Sequence, residues 1–438
     1  MSLSEMTPKL IPILKNTGLD IHWEKSAATF PGNLPFLQPE AIRENGDWAN
    51  LPPDAIDFAI RAAQKIGTDP DLAHMAWHAH RLLFIDKKAA RDWPLLSPIL
   101  GNYGGAFYLL IALSGIPQLH TYHQSRNIPE HITRLTCRDT YVWAQQYHDI
   151  GVFKNDRFSH PGDPGAWGLC TRILSWLLGY LNGDLYRIGR LQYKIGPFRQ
   201  KMRAYRHRTS EHLCLLCESG LEFRTDGNFN GAGGREDPKA WTSELTETAT
   251  HITGNPIHPN GHAQRQPVSL SRSQWDCVLI EGDPILEIHI PEDGPMGFDL
   301  CGDSLRQVAK FFPKYFPDRP FKAICCTSWL LDPTYQLLLA KNSNIARFQR
   351  ECYLFPLNSR SKHSSLDRIF GPYSHDLSTA PRDSSMRAAV LDHIDNGGVL
   401  ISGGCLLWTD HLDKWGTQFY LHQHPITSPQ SPVPSPQH

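Results

Sequence analysis

Glu287 and His289 stand two residues apart in the run Ile285–Ile290, and on a strand that spacing turns both side chains to one face. A carboxylate beside an imidazole can take and relay a proton, the task of a general base. Ser328 ends a second apolar run, 321–328, where its hydroxyl could donate to a leaving group or a developing oxyanion. Asp332, before Pro333, offers another carboxylate, either as a hydrolytic partner or as a turn cap. Arg187 and Arg190 could grip an anionic substrate through their guanidinium forks. Equally, they could pair structurally with carboxylates, or with Glu287 and His289 across a sheet.

The elements that must hold these groups follow from the same stretch. Ile285–Ile290 is rich in β-branched residues and is stopped by Pro291, which favours a strand. Its other face, Leu286, Ile288 and Ile290, is the expected core. The loop 291–302 contains three glycines and two prolines. Ser304 and Gln307 have the spacing of a capping box, so a helix is expected from Ser304, with Leu305, Val308, Ala309 and Phe312 on its apolar stripe and Pro313 as its stop. Strand, loop, helix and strand make a βαβ unit, whose strands are parallel and whose crossover is right-handed. Ligands of such units sit at the carboxyl ends of the strands and at the helix start. That places a binding loop at Pro291, Gly294, Gly297 and Ser304.

Four sequence runs resemble a known family: Glu287–Pro291 (EIHIP), Ser328–Pro333 (SWLLDP), Ser343–Gln349 (SNIARFQ) and Arg187–Tyr193 (RIGRLQY). They are similar to a bacterial acyltransferase-like family in which a helical N-terminal domain precedes a half related to the GNAT (Gcn5-related N-acetyltransferase) fold. The resemblance runs from about the first helix to Trp408. It implies an α+β fold class, with a helical N-terminal domain followed by a GNAT-like mixed α/β sheet domain. It also implies acyl-CoA as co-substrate and an amine of a small molecule or peptide as acceptor. In that chemistry Glu287 and His289 serve as base and relay, with Ser328 as the donor. Pro291, Gly294, Gly297 and Ser304 line the cofactor, and Arg187, Arg190 and Asp332 meet the substrate. The loop departs from the family's alternating glycines, and Glu292, Asp293 and Asp299 add negative charge where phosphates would bind. A non-catalytic binding or scaffold protein on the same frame, or a hydrolase using Glu287, His289 and Asp332, therefore stays open.

The rest of the chain sets the domain plan. Residues 10–150 read as helical: Pro53–Ile66 and Asp69–Phe84 carry apolar stripes, and two aromatic-rich segments follow around 103–113 and 132–147. A turn-rich junction at 159–168 suggests domains at 1–160 and 161–423, with a Pro/Ser-rich tail, 424–438, expected to be disordered. A helix is expected over Leu169–Leu181, then a strand over 185–195 with Gly189 as a bulge or close approach. Residues 226–266, polar and rich in Gly, Asn, Pro and His, read as a long surface loop or lid.

Of 438 residues 43 are basic and 44 acidic, so the net charge is −1 and no nucleic-acid footprint is present. No window reaches the ~20 apolar residues of a membrane span, so no membrane partner is expected. His74 and His78 are four apart with His80 nearby, and Cys214 and Cys217 form one Cys-x-x-Cys, but neither set has the remaining ligands of a metal site. No metal is expected. Ten scattered cysteines, several in apolar runs, suggest buried thiols and a reducing cytoplasm.

Overall fold

The structure is a computed structural model and describes residues 5–6, 10–87, 93–150, 165–360 and 364–423. The tail 424–438 and the start of the turn-rich junction, 159–164, lie outside the described residues. The chain forms two compact units: Met1–Ile188 together with Pro291–Gly294, and Gly189–Ile290 together with Pro295–His438.

The first unit is helical. Helix Pro53–Thr68 opens on a proline, whose fixed φ suits the first turn. It buries Ala55, Ala59, Ile60, Ala62, Ala63 and Ile66, a stripe of small and branched residues. Asp69 caps the next helix, Pro70–His80, by accepting the amides of Asp71 and Leu72. Helix Gly104–Ser114 is apolar all round and buried at every residue, which makes it the axis of the unit. The helical run Ser97–Ser125 is long and apolar enough, by length and composition, to cross a membrane, contrary to the sequence expectation. Most of its apolar window, 78%, is buried inside the protein.

The second unit is built on a mixed sheet of strands β1 (Leu191–Pro197), β2 (Pro284–His289), β3 (Ile324–Ser328), β4 (Tyr353–Pro356) and β5 (Gly403–Leu407), in spatial order β1-β2-β3-β5-β4. Strands β2 and β3 are parallel, as the strand-helix-strand pattern requires, and the other pairs are antiparallel. Leu286 and Ile288 are buried, and their face carries Tyr193, directly opposite Ile288 on β1. The Tyr193 hydroxyl lies 2.9 Å from Ser304 Oγ on helix Phe298–Tyr315, so that helix covers this face.

Three expectations need correction. The helix begins at Phe298, not Ser304, and it runs through Pro313 to Tyr315. Gly302 is no loop residue: the Trp415 indole lies 2.6 Å from where its Cβ would stand, so the helix needs a glycine there for close packing. Ser304 sits in the helix interior, fully buried, and its hydroxyl accepts the Leu191 amide at 3.2 Å. Second, the expected strand 185–195 is broken. Gly189 takes φ +61°, which separates Tyr186–Ile188 from β1. Third, residues 226–266 are not a structureless loop. They contribute short strands, among them His251–Gly254, Pro256–His258 and His262–Ala263. Two of these extend a five-stranded antiparallel sheet with Leu213–Cys217, Met202–His207 and Trp275–Leu279. Strands of two to four residues are too short to show alternation, and their polar faces read as loop.

Candidate functional site

The geometry of the second unit separates β2 from β3 at their carboxyl ends. Their ladder pairs Leu286 with Ile324, Glu287 with Cys325 and Ile288 with Cys326, and there it stops. Beyond that point β2 keeps its register with β1, His289 facing Gln192. Meanwhile β3 follows β5, with Thr327 against Gly404 and Ser328 against Gly403. Each strand end stays with its outer neighbour, so the two central strands part between Ile288 and Ser328. Past that point the two strands no longer pair with each other. Gly403 is required beside the parting, because a Cβ would stand 2.0 Å from the Leu331 carbonyl oxygen.

Glu287 and His289 do share a face, away from the covering helix, and both are half-buried. The Glu287 Oε2 lies 3.2 Å from Lys194 Nζ and 3.8 Å from His289 Nε2. The latter is a charge contact, too long for a hydrogen bond. His289, and after it Lys194, hold the Glu287 carboxyl below the usual range against the cost of partial burial. Glu287 is therefore a weak base and a good counter-charge. The pairing partner is Lys194, not Arg187 or Arg190. Ser328 caps the turn Trp329–Leu331: its Oγ accepts the Leu330 amide at 3.1 Å, leaving the O–H to donate.

Gly297, which has no side chain to cap with, is the N-cap of the 18-residue helix, and the amides of the first turn have no acceptor within the helix. Those amides and the helix dipole suit an anion. Asp299 in the same turn opposes one. Arg190 is buried, and its Nε donates to the Pro295 carbonyl at 2.8 Å, which fixes the backbone leading into the cap.

The other expected binding residues lie elsewhere. Pro291 and Gly294 fold with the first unit. There Arg187, also buried, pairs with Asp293 at 2.8 Å, and Arg138 approaches the same carboxylate at 3.5 Å. Asp293 is thus neutralised by two guanidinium groups, and Glu292 accepts from Gln146 at 3.2 Å. Asp332 is fully buried: Oδ1 accepts the Thr334 amide at 2.9 Å and Oδ2 the Ile401 amide at 2.7 Å. Burial raises its pKa, with those amides pulling the other way. It ties β5's approach to the turn after β3.

Lys194 is the residue that the sequence reading missed. Only the register shows that it meets Glu287. His78 and the cysteine pair are spent in packing. His78 bonds Ser26 and the Leu19 carbonyl, both at 2.7 Å, and Cys214 and Cys217 are buried thiols pushed up to about 12. Among the described residues no group of three or more metal-ligating side chains comes together.

Two family models match the chain: a GNAT-like C-terminal domain over residues 185–407, just over half of it, and an N-acyltransferase N-terminal domain over residues 42–151. No curated protein matches it in sequence. Among solved structures it is similar to an acyltransferase in complex with decanoyl-CoA and teicoplanin, at 17% identity and TM-score 0.59, covering 92% of this chain and 100% of that one. It is also similar to an acyltransferase in complex with decanoyl-CoA, at 22% identity and TM-score 0.53, covering 84% and 86%. A third, in complex with CoA and 10C-teicoplanin, shares 18% identity at TM-score 0.55, covering 84% and 87%. At these identities the likeness is one of fold.

Proposed function

We propose, from the premise that this chain belongs to the GNAT-like C-terminal domain family, that it is an N-acyltransferase taking an acyl group from acyl-CoA to an amine of a small or peptide-like acceptor. The observation that carries the reading is the parting of β2 from β3 beside His289. A thioester arm fits such an opening, where backbone groups can bond it. The solved acyltransferases that share the fold bind CoA or decanoyl-CoA, and two of them bind teicoplanin or its 10C form. An amine-bearing peptide-like acceptor follows that precedent.

In this reading His289 takes a proton from the acceptor amine as its nitrogen forms the new bond to the acyl carbon. The carbon–sulfur bond then breaks, and the Ser328 hydroxyl donates toward the departing thiolate. General-base help of this kind is worth roughly 10²–10⁴-fold. The first-turn amides after Gly297 meet the CoA phosphates, supported by Arg190 through the Pro295 carbonyl. Asp299 weakens that contact, so affinity for CoA is modest.

Calorimetric titration with decanoyl-CoA tests the reading. Wild type binds; Gly297→Trp, which fills the cap, does not; His289→Asn binds but loses turnover by about 10²-fold or more with an amine acceptor. Wild type that fails to bind at millimolar decanoyl-CoA would leave a binding or scaffold role on the same frame, the reading that Asp299 favours.

A further inference from the structure

We propose that Lys194 and Gly196 of β1 are positioning residues for His289, acting together to fix the Glu287 carboxylate where it faces the imidazole. The inference rests on the acyltransferase reading of this face and adds two residues to it.

Two separate devices aim at one carboxylate. The antiparallel register sets Lys194 directly opposite Glu287, and Nζ reaches Oε2 at 3.2 Å. Gly196, the next residue on the same face of β1, supplies the space. A Cβ there would stand 2.3 Å from Glu287 Oε1 and 2.7 Å from its Cδ. The backbone of Gly196 is not in the left-handed region, so its conformation does not demand glycine. The reason for glycine is steric, and the group it admits is the Glu287 carboxylate. That carboxylate then lies 3.8 Å from His289 Nε2, an atom without solvent exposure, where charge acts through little water.

Two further residues face the pair from the flanking strands in the ladder register. Gln192 lies opposite His289, and Cys325 opposite Glu287 on the other side, its thiol kept neutral by burial. Of these facing positions only Lys194 carries charge. Removing it makes the field at the imidazole more negative and lets the carboxylate swing closer, so His289 keeps its proton to higher pH. Displacing or neutralising the carboxylate does the reverse.

The experiment is an NMR titration of protein carrying labelled histidine, with the His289 signal identified by its loss in His289→Asn. The midpoint rises by about half a pH unit or more in Lys194→Met, less than a fully buried charge would give. It falls in Glu287→Gln and in Gly196→Ala, where the flexible carboxylate gives way. Lys194→Arg restores the wild-type value. Lys194 is partly exposed, so its variants test the idea even where Gly196→Ala does not fold. Midpoints unchanged in Lys194→Met and Glu287→Gln overturn the inference. Calorimetry with decanoyl-CoA on the same samples keeps the two ideas apart. Moved midpoints without acyl-CoA binding would sink the acyltransferase reading and leave the coupling standing.

Discussion

Three histidines of the helical unit and the Glu287–His289 pair of the sheet unit lie in opposite surroundings. His78, His80 and His123 each bond a serine or threonine oxygen, and burial lowers each to about 4. In the sheet unit, Glu287 and His289 stay half-buried with a cation beside them. An imidazole held neutral by burial, such as His78 with both ring nitrogens bonded, is spent on packing. One that is half-open beside a held carboxylate is equipped for chemistry. The contrast separates His78 from His289, although both stand in suggestive spacings.

The largest effect expected from breaking this contrast lies inside one strand. Leu286→Ala removes a fully buried side chain under the Phe298–Tyr315 helix and costs about 2–5 kcal/mol, measured by urea unfolding. The neighbour on the opposite face, Glu287→Gln, costs far less. Equal losses would make the Glu287 face part of the core and end its claim to be a site.

That alternation was legible in the sequence, as were the parallel strand pair and the helical first unit, because each depends on a period that a long element repeats. The Asp332 role was legible only as one of two choices, and the structure brings both carboxylate oxygens to backbone amides. What the sequence hid depends on distant partners. Nothing near Gly302 announces that Trp415 will pack against it, so the glycine reads as loop and Ser304 as the helix start. Nothing near Arg187 announces Asp293, or near Lys194 announces Glu287, since strand register is set by the whole sheet. The short strands of 226–266 were lost for want of length.

A second, intermediate effect sharpens the contrast through acid. A histidine whose folded pKa is lowered binds fewer protons folded than unfolded, so stability falls as pH drops from about 6.5 toward about 4. Each such group contributes a slope of up to about 1.4 kcal/mol per pH unit in that window. Hydrogen exchange in helix Pro70–His80, corrected for the intrinsic pH dependence, should show protection falling between pH 7 and 5. His78→Gln lowers protection at pH 7 through the lost bonds to Ser26 and Leu19, and it flattens the slope. An unchanged slope would mean that His78 is not held neutral.

The smallest effect concerns Glu287 and has a different window. Its folded pKa is lowered, so its contribution to stability is fully present above the unfolded carboxylate value, 4.5, and disappears as pH falls through the folded one. Between pH 6.5 and 5, where the lowered histidines of the first unit make stability depend on pH, the Glu287 carboxylate itself stays charged. With Lys194 partly exposed, its contribution is under about 1 kcal/mol. With the imidazole removed, in a His289→Asn background, Glu287→Gln should thus lower the protection of β2 slightly and evenly from pH 7 to 5. The difference from His289→Asn alone should shrink only below about pH 4.5, the carboxylate's own range. The helix Pro70–His80 should not respond at all. If Glu287→Gln instead flattened the slope above pH 5, the carboxylate would be titrating there, its pKa raised by burial. It would then be a general base in its own right, and His289 would lose its place as the proton acceptor.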